Sequence, residues 1–193
     1  MDLKLKDKVE GEIIALSDAK NYIHANGNYD DELIKTLITS GREIIEKILH
    51  LSILRKTWTC KYFRTEFLNK KSTIYPSIFN SIVTIPLPKN PVLKINNVYS
   101  DDREINSKKY YVEKTGQRYY LIIRNLKNLD DINSFTIDFD AGVAKDYNSV
   151  PSIFRIANLM IVAQHYEKRN SDQNFVPKAA KTMLANYVQF GGF

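Results

Sequence analysis

Cysteine is almost absent from this 193-residue chain. Cys60 stands alone, so no intrachain disulfide forms and no cysteine-rich zinc site can be assembled. Histidine is nearly as scarce: His24, His50 and His165 lie far apart, without the short spacing of a metal-binding motif. The seven glycines are scattered, apart from Gly191-Gly192, which excludes a glycine-rich phosphate loop. Nucleophile-elbow, HExxH and paired-cysteine signatures are missing too. No stretch approaches the roughly 18 uncharged apolar residues that cross a bilayer. Residues 1–12 alternate acids with lysines and carry no apolar signal core, so a soluble protein with no membrane partner is expected. No cofactor, metal ligand or catalytic residue is expected.

What the chain does contain is hydrophobic and aromatic bulk, at 44% and 11%, enough for a sizeable core. Its net charge of +6 is unevenly spread. Residues 1–50 sum to −3, residues 51–100 to +7, residues 101–150 to −1 and residues 151–193 to +3. The excess centres on Arg55, Lys56, Lys61, Arg64, Lys70 and Lys71. Such a cluster meets phosphates or an acidic protein surface, or is simply a solvated sheet face.

Three helical blocks bracket a strand-rich middle. Residues 1–14 show no clear period and read as a flexible arm. Ser17 is placed to cap a short helix near 17–25, which Asn26-Gly27-Asn28 ends. A second helix near 29–50 starts at Asp30 and Asp31, where the helix dipole favours acids. Leu33, Ile34, Leu37, Ile38, Gly41, Ile44, Ile45, Ile48 and Leu49 form its apolar stripe. Arg42 and Glu46 fall mostly on the other side. Gly41 inside that stripe points to close packing against another backbone. From Ile53 the period changes to two: Leu54, Trp58, Cys60 and Tyr62 share one face, interrupted by Lys56. Cys60 therefore reads as a small core residue. Further strands follow at 82–85 and 92–99, a hairpin turns around Thr115-Gly116-Gln117, and Phe135, Ile137 and Phe139 mark the last strand. Pro151 opens a helix near 151–168 that is apolar around much of its girth, so neighbours must wrap it, in its own domain or in other subunits. Pro177 opens a final helix near 177–189, and residues 190–193 form a flexible tail. The fold class is α+β: a small helical bundle, 15–50 plus 150–190, with a β-rich insertion at about 53–142, in one domain.

Two patterns invite a chemical reading. Asp138 and Asp140 alternate on one strand, followed by Asp146, and carboxylates so placed can join a divalent-metal nuclease site. The simpler reading is the solvent side of an amphipathic strand. Basic and tyrosine residues mix in Lys108-Lys109-Tyr110-Tyr111 and Arg118-Tyr119-Tyr120. These residue types suit a nucleic-acid stacking platform and a protein interface equally.

The order of these segments resembles the phage head–tail connector family, the adaptor or DNA-packaging connector proteins of long-tailed phages and gene transfer agents. Ser17 to Ile23 matches the family's short opening helix. Asp30-Asp31-Glu32-Leu33-Ile34 through Arg42-Glu43-Ile44-Ile45-Glu46 matches its long helix, and Leu54 with Thr57-Trp58 the strand that follows. Ile85-Pro86-Leu87-Pro88 with Pro91-Val92 matches its proline-bounded strands. Asp140-Ala141-Gly142, Val150-Pro151 and the helix to Tyr166-Glu167-Lys168-Arg169 match its close. The chain departs from the family at Ile23-His24, where Leu-Arg is frequent, and at Gly41, where Ala is usual. The resemblance implies a non-enzymatic ring subunit, usually one of twelve in the virion, and a monomer in solution is compatible with it. Its partners would be the portal protein, the next tail-completion protein and DNA passing non-specifically through the channel. It would assemble in the host cytoplasm and end at the head–tail junction. Phe190 and Phe193 are candidate partner-binding residues, and the basic residues Arg55, Lys56, Lys61, Arg64, Lys70 and Lys71 candidates to face DNA or the portal. The alternative is a nucleic-acid-binding module built on residues 55–71.

Overall fold

The apolar stripe beginning near Leu33 does form the longest helix among the described residues. A computed structural model describes residues 1–7, 11–67, 77–79, 82–126, 131–168 and 176–187. In chain order these form β1 (Asp2–Leu5), α1 (Leu16–Tyr22), α2 (Asp31–Leu49), β2 (Lys56–Phe63), α3 (Arg64–Phe67), β3 (Ser77–Phe79) and β4 (Ile82–Pro86). Then come β5 (Val92–Ser100), β6 (Arg103–Glu104), β7 (Tyr110–Thr115), β8 (Arg118–Ile123), β9 (Ser134–Ala141), α4 (Ser152–Glu167) and α5 (Lys178–Leu184). The chain divides into a strand-rich unit, Met1–Lys8 with Lys56–Gly142, and a helical unit, Val9–Arg55 with Val143–Phe193. Five helices and two antiparallel sheets among the described residues make the fold α+β.

The core of the helical unit gathers Ile34, Ile38, Ile45 and Leu49 from α2 with Phe154, Ala157, Ile161 and Val162 from α4. Removing each such side chain from water contributes about 1.5–3 kcal/mol. At Gly41 the two helices pack without room for a side chain. A Cβ built there would lie 2.1 Å from Asn158 Oδ1 and 3.2 Å from its Cγ. The buried Asn158 amide donates from Nδ2 to the Ile38 carbonyl at 3.1 Å. The glycine that weakens α2 as a helix is therefore what admits a polar clasp between helices.

Arg42 and Glu46 are buried, not solvent-facing as their place on the helical wheel suggests. Arg42 Nε donates to Glu12 Oε2 at 2.8 Å and Nη1 to Glu46 Oε2 at 3.2 Å. The other Glu46 oxygen accepts the Ile53 N–H at 2.8 Å. Burial would lower the Arg42 pKa, but the flanking carboxylates outweigh it and hold the guanidinium above its ordinary value. A guanidinium can be buried because each charge in this chain of groups has an opposite neighbour. The segment leading out of the helical unit pairs with the one returning: Val143 N–H donates to Ser52 O, Ala144 N–H to Ile53 O and Arg55 N–H to Ala144 O.

Two local expectations change. Ser17 does not cap α1; Ala15 holds the cap position, and its N–H is accepted by Asp18 Oδ2 at 3.4 Å. Residues 1–14 are not a loose arm where they are described. Asp2–Leu5 pair antiparallel with β2, Leu3 opposite Cys60 and Leu5 opposite Trp58. Ile13 and Ile14 are buried in the helical core. Four residues alternate too briefly to announce a strand; β1 forms because the edge of β2 offers unpaired backbone groups.

The strand-rich unit is a two-sheet sandwich. One sheet has the order β1-β2-β9-β5-β6 and the other β3-β4-β8-β7. In β2 and β9, Cys60 lies opposite Ile137 and Tyr62 opposite Phe135. Their side chains meet Val83, Ile85, Leu121 and Ile123 of the second sheet in one core. The β7–β8 hairpin turns at Gly116, with φ at 61°, a conformation that glycine adopts without strain.

Gly41→Ala is expected to cost about 2 kcal/mol. Overpacking and the displaced Asn158 hydrogen bond act against a gain of about 1 kcal/mol in helix propensity. In an Asn158→Ala background the same substitution should be neutral or stabilising. Urea denaturation of the four proteins measures that sign change directly.

Candidate functional site

Four of the six residues that sequence reasoning grouped by charge are described, and they differ in burial and in the groups they touch. Arg55 is exposed and belongs to the helical unit. Lys56, in β2, is only 7% exposed and lies with its Nζ 5.8 Å from the centre of the Trp58 ring. Lys89 approaches the same ring at 4.9 Å. Lys56 is therefore corrected from a surface contact to a residue packed beside Trp58, because the inward alternation of β2 carries it there. Lys61 lies on the other face, its Nζ 5.7 Å from the Phe63 ring. Arg64 opens α3 and donates from Nη1 to the Ile132 carbonyl at 3.3 Å. Lys70, Lys71, Phe190 and Phe193 lie outside the described residues.

The carboxylates Asp138 and Asp140 serve the sheet. On β9 they share a face with Thr57 and Thr59 of the adjacent strand. Asp140 Oδ1 accepts from Thr57 Oγ1 at 2.9 Å and from Asn96 Nδ2 at 2.8 Å. Asp138 accepts from Thr59 Oγ1 and, at 2.8 Å, from Lys6 Nζ. That hydrogen bond raises the pKa of the Lys6 ammonium above its ordinary value. Among the described residues no group of His, Cys, Asp and Glu is arranged to hold a metal ion. No described helix is long and apolar enough to cross a membrane.

Strand alternation also divides the tyrosine–basic pairs. Tyr110 and Tyr119 pack against the sandwich core. Their neighbour Tyr111 turns outward, stacked under Arg124 at 4.6 Å and accepting from its Nη2 at 2.7 Å. A continuous stacking platform is thus not formed by both members of each pair.

The surface that sequence reasoning missed lies in the helical unit. Leu33 was counted in the buried stripe of α2, but is 36% exposed. Tyr29, before the helix begins, is 97% exposed. Its turn is tied down: Lys20 Nζ donates to Gly27 O, to Asn28 Oδ1 at 3.3 Å and to Asp31 Oδ1 at 2.6 Å. On α4, Phe154, Ala157, Ile161 and Val162 face inward, whereas Ile156 is 40% exposed, with Ile153 and Met160 half-buried beside it. The apolar girth of that helix in the sequence is the signal that could have located this surface.

Three solved chains share the fold. A chain described as "Virion of native gene transfer agent (GTA) particle" superposes with a TM-score of 0.71 at 14% identity, covering 100% of this chain and 98% of that one. One from "Neck of empty GTA particle computed with C6 symmetry" has a TM-score of 0.69 at 13% identity, and one from "Neck of native GTA particle computed with C12 symmetry" 0.66 at 14%. Both are covered over 100% of each chain. The family model described as "Head completion protein" matches residues 12–181. No curated protein matches the chain.

Cys60 carries no chemistry in this arrangement. Burial, aided by the Asp138 carboxylate, pushes its thiol pKa far up, and thiolate is the reactive form. A maleimide at pH 8 should leave the folded chain unlabelled and modify its single cysteine once denaturant is added. Mass spectrometry reads both states, and rapid labelling of the folded chain would contradict the buried placement.

Proposed function

Because this chain belongs to the head completion protein family, we propose that it is a structural subunit of the ring that joins the portal to the tail in a tailed-phage or phage-like particle. The observation that carries this reading is the likeness of fold along the whole chain to the neck subunits of gene transfer agents. Necks reconstructed with sixfold and twelvefold symmetry support a closed ring, and we take twelve copies as the number in the virion.

The subunit works by shape and contact, without catalysis. It docks on the portal from one side, receives the next tail-completion protein on the other, and extends the channel through which DNA passes without sequence recognition. Arg55, Lys61 and Arg64 are the described basic residues proposed to face DNA or the portal. A nucleic-acid module built on residues 55–71 is less well supported, since Lys56 is buried. The aromatic tail residues Phe190 and Phe193 are proposed to dock into a neighbouring protein. Assembly takes place in the host cytoplasm, and the finished ring belongs to the virion.

Light scattering and negative-stain imaging of the chain, alone and mixed with its portal protein, test the reading. A ring on its own or on the portal is expected. A monomer that ignores the portal and binds DNA at low salt would replace the connector reading with the nucleic-acid one. Deleting residues 190–193 should weaken portal binding; unchanged binding would remove the tail from the docking surface.

A further inference from the structure

The helical unit exposes two unlike apolar patches. One is a knob, Tyr29 with Leu33, at the start of α2. The other is a stripe on α4 centred on the exposed Ile156 and flanked by Ile153 and Met160, which are half-buried and also pack against the helical core. Contiguous exposed apolar side chains mark interaction sites, and tyrosine is favoured at interface centres because it covers much area with few rotatable bonds.

The two patches cannot cover each other within one subunit. Tyr166, near the C-terminal end of α4, donates its hydroxyl to Asp30 Oδ2 at 2.7 Å, which ties that end of α4 to the start of α2. From Tyr166 back to Ile156 the helix axis runs about 15 Å. Knob and stripe therefore sit toward opposite ends of the α2–α4 pair. Two different patches, set apart on one body, are what a contact between unlike surfaces requires, and such contacts form rings where the rotation between copies closes. A twofold contact would need one patch that fits itself.

We propose that neighbouring copies of this chain meet through these patches, the Tyr29 and Leu33 knob of one subunit seating on the Ile153, Ile156 and Met160 stripe of the next. The inference rests on the ring reading above and names the surface through which that ring closes. The knob is pre-formed, because Lys20 holds its turn from three sides, so little conformational freedom is lost on docking.

The test uses the full chain with Ile156→Glu as the stripe variant and Tyr29→Ala with Leu33→Glu as the knob variant. Ring formation, alone or on the portal, is followed by sedimentation velocity and negative-stain imaging. Each variant should keep its circular dichroism spectrum and associate at least about tenfold more weakly. If Ile156→Glu disturbs folding, Ile156→Ser takes its place. Mixing the two variants is the sharper measurement. One intact knob then meets one intact stripe, so the mixture should form pairs that stop at two subunits. Variants that ring like the wild type would overturn the contact while leaving the ring reading standing. The same holds if wild type rings, each variant is monomeric and the mixture makes no pairs. A wild-type chain that forms no ring under either condition would sink the ring reading and this contact with it.

Discussion

The close approach of α2 and α4 at Gly41 is the contact on which the helical unit depends. That unit is assembled from two stretches of chain, Val9–Arg55 and Val143–Phe193, separated in sequence by Lys56–Gly142 of the strand-rich unit. Bringing such distant segments together carries a loop-closure cost that grows slowly with length. The seam that offsets it is both apolar and polar. Ile38, Ile45, Phe154 and Ile161 bury their side chains, and the Asn158 amide reaches the Ile38 carbonyl through the space a side chain at position 41 would occupy. The pairing of Ser52 and Ile53 with Val143 and Ala144 then fixes where the chain leaves the helices and where it returns.

The charged groups inside this unit serve its specificity. Glu46 bonds both Arg42 and the Ile53 backbone, so it joins the helix to the segment that follows it. Glu12 completes the pairing from the opposite side of the sequence. Such a network contributes little net stability over an apolar core of equal volume, but breaking it leaves a charge stranded. Its benefit is a single arrangement of α2 relative to its neighbours. Rigidity of this kind matters for a protein that acts through its surfaces, since a knob or stripe held in place loses less freedom when a partner arrives.

Much of the fold was legible in one dimension. The stripe of α2, the hairpin at Gly116 and the proline at the head of α4 each follow from local chemistry and match an element in the structure, whereas the strand read from Ile53 spans only Lys56–Phe63, with Ile53 and Leu54 in the helical core and Arg64–Phe67 helical. The misreadings share one cause. A helical wheel sorts residues by angle alone, so it placed Leu33 inside and Arg42 and Glu46 outside. Burial also depends on whether another element lies over that angle, and among the described residues Leu33 is left 36% exposed. Strand β1 was missed because its ordering comes from the free edge of β2, and Lys56, placed by alternation on the inward face, was grouped with the surface cations on its charge although its stem packs beside Trp58.

What the sequence determined by itself was the class of element over most of the chain and the resemblance to a ring-forming family, because periodicity, proline and glycine placement act within a few residues. It also located the unusual girth of the 151–168 helix. Only the tertiary structure decided which side of that helix remained uncovered, which carboxylates were already occupied by threonines and lysine, and which basic residues stood apart. Those outcomes depend on elements distant in sequence arriving at one place, and packing in three dimensions leaves no local pattern by which a single stretch of chain could announce its neighbours.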